Sequence, residues 1–511
     1  MRVTRTISTL LTAALALTAG AQTYSDYRLA DEKQLWRTTE NAAGLAIDMK
    51  DSADNRGVAY FDYQYRGGDY HRVQQGGQTN QLRFFTERYQ KIGNYLYGYG
   101  AFDFDMGRTK DRAWSDVMRT EPGNPYISGS SVSGKYDFQN FALTAKLASV
   151  RLGRFNYGAS LRYKVGDLSR LRDPRSRVRL ADYQIAPSAT YTAGAHTVGL
   201  SAWYRRRKEK LTGLKTVQTD PSLKYYVMTG LEHATGTVGG YNAYWREYVD
   251  HELGGQLSYG YRSAAFSSVS SIGLQHHTEY AYGQYKYEPG RYHDYHYSLS
   301  SRNRITRGRL LHSLEAGASY EEAYADQFSS QLTTETDGPY TTQRWEQTMT
   351  FKKRYQLKRL NADAHYRLTV TDASGAAGYA GAAYALETVS SKHLLPTSEL
   401  QTSSHLFSLE GGYGLAGRRL WVEARADYRL KGKADLTLNN PATDYAQGVL
   451  LPDMAYYEAN WWQCRLELTW QQPITIKKRR TMWFASLRGS YLKTNNSLEG
   501  KSVGATVGLY Y

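Results

Sequence analysis

The amino-acid sequence predicts an all-β fold, a transmembrane antiparallel β-barrel, from three observations. Segments of the chain alternate between apolar and polar side chains, the links between them alternate between short and long, and tyrosine and glycine each occur 46 times. Successive side chains of a strand point to opposite faces, so the alternation gives one face to lipid and the other to a lumen. We expect about 18 strands, within a range of about 14 to 18, because a pattern defines strand ends poorly.

The alternation is clearest in three segments. From Phe155 to Val165 the odd positions are apolar and the even positions are polar, and the same period returns from Leu360 and from Leu420. A helix would scatter such charges around every face. The charged side chains on the polar faces are therefore expected to line the lumen. These candidates are Arg162, Lys164, Asp363, His365, Arg367, Glu423, Arg425, Asp427, Arg429, Arg465 and Glu467.

Aromatic residues end the apolar faces of two neighbouring segments. Trp462 and Trp470 are eight residues apart, as are Trp483 and Tyr491. At ~3.3 Å per residue and a tilt near ~40°, that spacing covers roughly 20 Å, close to the ~25 Å apolar band of outer-membrane barrels. We expect these four residues to belong to aromatic girdles at the two membrane surfaces. A soluble β-sandwich or barrel also alternates, but it does not require paired aromatic rims.

The links support the same topology. Short links are expected where periplasmic turns are tight, and long polar links where loops face the cell exterior. A change of phase within residues 344–370 also predicts one long bulged strand that extends beyond the membrane. The expected long links lie near residues 109–133, 166–178, 210–250, 324–342, 392–403 and 432–453.

The start of the chain has the organisation of a secretory signal peptide. Arg2 and Arg5 precede an apolar stretch at residues 7–19, and Ala19 and Ala21 form an A-x-A cleavage site before Gln22. The stretch is too short for a membrane-spanning helix, which needs about 20 residues. We therefore predict a signal peptide at residues 1–21.

The next segment, residues 22–55, does not alternate. Residues 31–43 have the composition of a short helix, with Gly44 as a stop. This segment is expected either to lie in the periplasm or to fold into the lumen as a plug. The barrel itself is predicted at residues 56–511.

The charge and cysteine content restrict the partners. The formal net charge is +16 and the mean hydropathy is −0.63. For an exported chain, this basic excess favours contact with lipopolysaccharide or a cation-rich pore wall rather than with nucleic acid. The basic run at residues 205–208 lies at the outer end of a segment and suits lipopolysaccharide phosphates. The single cysteine, Cys464, allows neither an intrachain disulfide nor a cysteine metal cluster, and we expect no cofactor.

The Tyr/Gly-rich alternating segments, the stretch WRTTENAAGL at residues 36–45 and the last segment, VGATVGLYY at residues 503–511, carry a family resemblance. Together they resemble uncharacterised outer-membrane barrel families of the Bacteroidetes type. The resemblance implies location in the cell outer membrane and contact with its lipid. It also implies that the last segment, with Val507, Leu509 and Tyr511 on one face, is the signal read by the barrel-assembly machinery.

Catalytic constellations are weak. Asp363 and His365 share a face and could form an acid/base pair, but Arg367 follows on that face and favours a structural charge ladder. His276 and His277 point to opposite faces of a strand, and so do His293 and His296, three residues apart. We therefore expect no enzyme.

The favoured function is a passive pore or transport channel for small polar or amphipathic solutes. The alternative is a structural or interaction barrel with a filled lumen and surface-binding loops, and a more distant alternative is a barrel hydrolase. The identity of the solute or surface partner is left open by the sequence.

The cleavage site gives the first testable prediction. N-terminal sequencing of the protein recovered from the outer membrane should begin at Gln22, because Ala19 and Ala21 fit the small side-chain pockets of signal peptidase. An intact Met1 on the membrane-inserted protein would contradict it. A variant with Ala21→Leu should retain the signal peptide, whereas Ala13→Leu, within the apolar stretch, should be processed normally.

Overall fold

A computed structural model describes residues 23–49, 54–120, 123–215, 223–238, 244–373, 375–476 and 479–511 of the protein. The predicted signal peptide, including Ala19 and Ala21, lies outside the described residues. Among the residues described, no helix is long and apolar enough to cross a membrane.

Eighteen strands form one antiparallel sheet that closes on itself, as the alternation predicted. Three further strands, β4 (Ser128–Ser130), β9 (Lys224–Gly230) and β10 (His233–Val238), form a separate small sheet. The barrel strands are β1 (Arg56–Gly68), β2 (Gln78–Ile92), β3 (Leu96–Arg112), β5 (Gly134–Ser149), β6 (Phe155–Arg170), β7 (Arg177–Ala193), β8 (His196–Thr212), β11 (Arg246–Arg262), β12 (Phe266–Tyr282), β13 (Gly290–Arg307), β14 (Leu310–Asp337), β15 (Tyr340–Asp372), β16 (Gly375–His393), β17 (Ser398–Leu415), β18 (Leu420–Thr437), β19 (Trp461–Ile476), β20 (Arg479–Thr494) and β21 (Glu499–Tyr510).

The barrel closes between its first and last strands. β1 pairs with β21 from Val58 opposite Tyr510 to Gly68 opposite Gly500, and its other edge pairs with β2. Each of the other barrel strands likewise has two antiparallel neighbours. Closure satisfies the backbone groups that a sheet edge would otherwise leave unpaired in hydrocarbon, at a cost of several kcal/mol each.

The outward face carries the apolar side chains. Leu200, Leu487 and Val507 are 62, 64 and 57% exposed in the isolated chain, which is the expected state of side chains that contact lipid. Trp462 and Tyr491 lie at one level of this face, with ring centroids 5.7 Å apart. Trp470 and Trp483 lie toward the other end of the same two strands. The four predicted girdle residues thus occupy two levels on β19 and β20.

The two ends of the barrel differ in their links. Tight links such as residues 194–195 and 308–309 share an end with residues 56 and 511, which identifies that end as periplasmic. The expected long link at residues 324–342 is wrong, because β14 continues to Asp337 and β15 already begins at Tyr340. β15 is one 33-residue strand with register shifts against β14, as its change of phase predicted.

The extracellular end is covered by loops that fold inward. Val117 and Tyr126, in the link between β3 and β5, pack against inward side chains of strands β11 to β16. Trp114 contacts Tyr226 of β9 at a ring distance of 4.5 Å, and Tyr445 of the β18–β19 link at 5.4 Å. That link also contains a π-helix (Ala446–Leu450) followed by a short α-helix (Leu451–Tyr457). The small sheet and these helices form a cap over the lumen.

A closed 18-stranded antiparallel barrel with an apolar outer belt and aromatic rims is the architecture of an outer-membrane protein. The chain is therefore an outer-membrane β-barrel.

The assignment of strand positions to the lipid or the lumen gives the second prediction. Leu487 lies four residues from both Trp483 and Tyr491, at the middle of the apolar band, so Leu487→Arg should destabilise the barrel by about 2–4 kcal/mol. Denaturant unfolding in lipid vesicles measures this cost.

The matched control is Gln463→Arg, which places the same side chain on the lumen face of the neighbouring strand. Gln463 already donates a hydrogen bond to Ser490 and accepts one from Arg465 there. We expect a change below about 1 kcal/mol at this half-buried polar site. Equal losses at the two positions would show that the assigned faces are wrong.

Candidate functional site in the lumen

Residues 23–49 lie inside the barrel, toward its periplasmic end. They begin with α1 (Tyr24–Lys33), continue through two 3₁₀ turns, Trp36–Thr38 and Ala42–Gly44, and end with α2 (Leu45–Asp48). The predicted helix at residues 31–43 is wrong. The helix starts earlier because Thr23 and Asp26 form a reciprocal capping box, and it stops at Lys33, after which the chain turns to follow the barrel wall. We call residues 23–49 the inner segment.

The first part of the inner segment is bound by ion pairs and hydrogen bonds. Arg28 and Tyr24 of α1 both contact the Glu423 carboxylate of β18. Tyr379 donates a 2.6 Å hydrogen bond to the same carboxylate. Glu32 accepts from Arg367 at 3.2 Å and from Thr369 at 3.0 Å. Each charge on this face of α1 is therefore met by a partner from the barrel wall.

Trp36 packs into a recess of the barrel wall that is lined by Gly199 and Gly260 and that we call the glycine seat. An added Cβ at Gly199 of β8 or at Gly260 of β11 would lie 2.7 Å from atoms of the Trp36 indole. An added Cβ at Gly158 of β6 would lie even closer to the segment, 2.4 Å from the backbone nitrogen of Ala43. Side chains at these inward positions would push the segment away from the wall. The docked segment therefore requires glycine at these positions.

The second part of the inner segment is also held by polar contacts. Glu40 pairs with Arg162 of β6 at 2.9 Å. The Asn41 side-chain amide donates to the backbone carbonyl oxygens of Ala189 and Leu200, at 3.0 and 3.2 Å. Asp48 accepts from the Arg37 backbone amide at 3.0 Å, and burial raises the pKa of its carboxyl to about 7.

Several predicted lumen residues meet around one carboxylate that sequence reasoning missed. His365 Nε2 lies 2.9 Å and Arg367 Nη2 lies 2.6 Å from Oε1 of Glu410, on β17. Arg425 lies 3.7 Å from the other oxygen of Glu410. Because His365 pairs with Glu410 and not with Asp363, the structure does not assemble the acid/base pair considered from the sequence.

Asp427 is the centre of a second cluster of ion pairs, beside the cluster around Glu410. Its oxygens lie 2.7 Å from Arg425 and 3.2 Å from Arg465. Asp363 and Lys164 are exposed, and Lys164 is opposite Asp182 in register.

The remaining two predicted residues have different surroundings. Arg429 donates to the backbone carbonyls of Tyr457 and Ala459 and so attaches the β18–β19 link to the wall. Glu467 is opposite Glu423 on one side and Arg488 on the other.

One histidine has a role that its sequence context did not reveal. His276 faces outward and stacks on Tyr295, with ring centroids 4.3 Å apart. His277 instead points inward, with Nε2 3.1 Å from Asp294 and Nδ1 3.7 Å from Asp250. Within the described parts of the chain, no group of three or more potential metal ligands has a suitable arrangement.

A cavity of about 750 Å³ lies in the extracellular half of the lumen. Its floor includes Glu423, the residue that Arg28 and Tyr24 of the inner segment hold. The charged residues of its wall include Arg66, Glu410, Arg425, Arg465 and Arg488. The cavity therefore offers polar, mixed-charge surroundings with an excess of arginine, and Glu423 connects it to the docked segment.

These features define a class of protein, an outer-membrane barrel whose lumen holds its own N-terminal segment. The chain belongs to DUF6850, a family of unknown function whose family model matches residues 43–511. The expected membership of an uncharacterised outer-membrane barrel family is thereby confirmed. No curated protein sequence matches the chain.

Solved structures with a similar architecture are distant. The FrpB iron transporter from Neisseria meningitidis (F3-3 variant) has 10% identity and a TM-score of 0.40, covering 93% of this chain and 83% of its own. The outer membrane transporter YddB from Escherichia coli has 9% identity and a TM-score of 0.38, with 88 and 81% covered. The outer membrane protein opdK from Pseudomonas aeruginosa has 9% identity and a TM-score of 0.35, with 89 and 99% covered. Similarity at this level assigns neither a solute nor a mechanism.

The glycine seat gives the third prediction. Gly260→Val should displace Trp36, because there is no room for an added side chain, and amide exchange in residues 35–49 should become at least about tenfold faster. Hydrogen–deuterium exchange with mass spectrometry measures this directly.

Gly255→Val, on the same strand, is the control. Gly255 faces outward, and an added Cβ would have its nearest neighbour at 3.7 Å. Both variants should show a folded, heat-modifiable band on a gel. Equal exchange in the two folded variants would contradict the seat.

Proposed function

We propose that the protein is a transport barrel for small polar solutes that its own inner segment closes at rest. The observation that carries the proposal is the docking of residues 23–49 across the lumen through ion pairs with the wall. Arg28 with Glu423, Glu32 with Arg367 and Glu40 with Arg162 are distributed over β18, β15 and β6. An open passive pore would need this space to be free.

The character of the contacts favours a displaceable closure. Every side chain of these three ion pairs keeps some exposure, from 10 to 40%, so water in the lumen can solvate the charges once they separate. Trp36, Leu45 and Met49 add buried apolar contacts that position the segment. A segment held in this way is ordered at rest and is released at moderate cost.

The cavity supports the solute class and a coupling to the closure. Its arginines and glutamates suit a small polar molecule, with anionic groups favoured by the arginine excess. Glu410 pairs with Arg367, which in turn pairs with Glu32 of α1. A solute that binds Glu410 or its neighbour Arg425 would therefore disturb the ion pairs that hold α1. Binding from the extracellular side would thereby weaken the docking of the inner segment.

The fourth prediction is a conductance measurement in planar bilayers. The protein should be closed for most of the time, and the triple variant Arg28→Ala, Glu32→Ala and Glu40→Ala should be open at least about tenfold more often. Deleting residues 23–49 should raise the open fraction at least as far as the triple variant does, with the extracellular loops left as the remaining barrier.

The matched control removes the same residue types from a site outside the lumen. Arg344 pairs with Glu335 at 3.2 Å and with Glu346 at 2.7 Å on the projecting part of the β14–β15 hairpin. Changing these three residues to alanine should leave the conductance unchanged. A folded deletion variant that does not conduct would overturn the proposal.

That negative result would favour the second candidate, an interaction barrel with a filled lumen. One observation supports it: β14 pairs with β13 only as far as Gln327, and β15 pairs with β16 only from Tyr355. Residues 328–354 therefore project as a two-stranded ribbon beyond the barrel. Tyr340 and Met349 are strongly exposed on this ribbon, which offers a surface for an external partner.

A further inference from the structure

A cluster of cations lies on the outward face of two adjacent strands, β7 and β8. Arg179 of β7 is opposite Lys210 of β8, and Lys208 of β8 is opposite Val249 of β11. Arg206 follows on the same face of β8, opposite Tyr183 and His251. We call Arg177, Arg179, Arg206, Lys208 and Lys210 the outer basic patch.

The basic run at residues 205–208 is split by the strand. Arg205 points into the lumen, where it pairs with Asp182 at 2.6 Å and Glu252 at 3.3 Å, and Arg207 also pairs inward, with Glu209. Only Arg206 and Lys208 face outward. Arg205 and Arg207 therefore cannot contact lipopolysaccharide, as the run was expected to do. The other members of the patch are Arg177 and Arg179 of β7 and Lys210, farther along β8.

The height of the patch matches the edge of the membrane. Arg206 is ten residues along β8 from His196, at the periplasmic turn. At ~3.3 Å per residue and a tilt near ~40°, this is roughly 25 Å along the membrane normal, the height of the apolar band. Just below it, Ile185, Tyr204 and Leu253 form one exposed apolar row. Arg206 is thus placed at the headgroup level of the outer leaflet.

The patch has more cations than acids. Asp167 pairs with Arg177 at 2.7 Å and Glu247 pairs with Lys208 at 2.9 Å. In the described parts of the chain, Arg179, Arg206 and Lys210 form no ion pair, although Asp167 is opposite Arg179 and Glu247 is opposite Lys210 in register. Lys210 instead lies 5.5 Å from the centre of the Trp245 ring. Inward arginines on the same strand are neutralised by acids, so the outward excess is specific to one face.

From this arrangement we propose that the outer basic patch binds the phosphate groups of a phosphorylated glycolipid of the outer leaflet. Arg179 and Arg206 supply planar guanidinium groups that bind phosphate oxygens through two parallel hydrogen bonds. Lys210 adds a point charge at the rim, and the apolar row below it contacts the acyl chains. The ligand is a lipid, because only a lipid has both phosphates for the patch and acyl chains for the apolar row.

The test uses the purified full chain in non-ionic detergent and native mass spectrometry. A glycolipid with two phosphates and the same glycolipid without phosphate serve as probes at equal concentration. The protein should retain the phosphorylated lipid at least about tenfold better, and added NaCl should reduce this preference through screening. Equal retention of the two lipids would overturn the proposal.

Two triple variants locate the site. Arg179→Gln, Arg206→Gln and Lys210→Gln together should abolish the preference for phosphate. The control, Lys392→Gln, Lys433→Gln and Lys493→Gln, removes the same charge from three other strands, β16, β18 and β20, away from the patch. Lys392 is opposite Glu399, Lys493 is opposite Glu499 and Lys433 lies 3.9 Å from Asp435. Loss of preference in both variants would show a net-charge effect and overturn the site.

Inorganic phosphate distinguishes the two possible sources of the anion. At a concentration equal to that of the glycolipid it should displace none of the bound lipid, because it cannot contact the apolar row. Complete displacement would show a site for free phosphate and would overturn the lipid assignment. If the patch variant does not fold, the wild-type comparison of the two lipids and its salt dependence still decide the proposal.

Discussion

The pairing of β1 with β21 is the constraint on which the rest of the structure depends. A sheet in hydrocarbon has no water to satisfy its edge, so it is stable only as a closed cylinder. The seam is reinforced from within, since Tyr27 of the inner segment packs against Tyr510 of β21 at a ring distance of 5.3 Å. Closure also fixes the register, and a slip of one residue would turn every lipid-facing side chain into the lumen. The inward and outward faces are therefore set together.

Closure at eighteen strands creates a second requirement. Side chains alone fill a barrel of about eight strands, whereas 16 to 18 strands leave an aqueous channel. Here the inner segment occupies the periplasmic part and the inward-folded loops cover the extracellular part. Between them remains a polar cavity that touches the contacts of α1. The size of the barrel thus explains why its lumen contains chain segments, and the arginine and glutamate pairs explain how those segments are held without a large apolar core.

The sequence predicted the elements whose signal is local. Alternation located β6, β15 and β18 and assigned their faces, because the period of two depends only on neighbouring residues. The same rule applied to β17 would have placed Glu410 inward, beside the exposed, outward Phe407 and Leu409. Its partners could not have been predicted, since His365 and Arg367 are more than 40 residues away and meet it only through the register.

Two misses have a different physical origin. The strands β4, β9 and β10 are only three to seven residues long and are stabilised by one another and by the cap, so no membrane-length pattern indicates them. The helix of the inner segment was misplaced because residues 31–43 have good helical composition. The turn Ala42–Gly44 contacts β5, β6, β7 and β8. Tertiary contacts with four strands override a weak helical preference there.

The strand β8 shows how one short sequence serves both faces. In residues 205–208, four consecutive basic side chains are divided by the pleat between two environments. Within the lumen, Arg205 is partly withdrawn from water between two carboxylates, which keeps an inward charge from being left unpaired. On the outer face, Arg206 has no ion pair with a carboxylate of the described chain, and the lipid phosphates that we propose as ligands of the patch would supply its counter-charge. The four basic residues are consecutive in the sequence, but a strand directs neighbouring side chains to opposite sides of the barrel wall. Arg205 and Arg207 therefore lie in the lumen, and Arg206 and Lys208 lie on the outer surface.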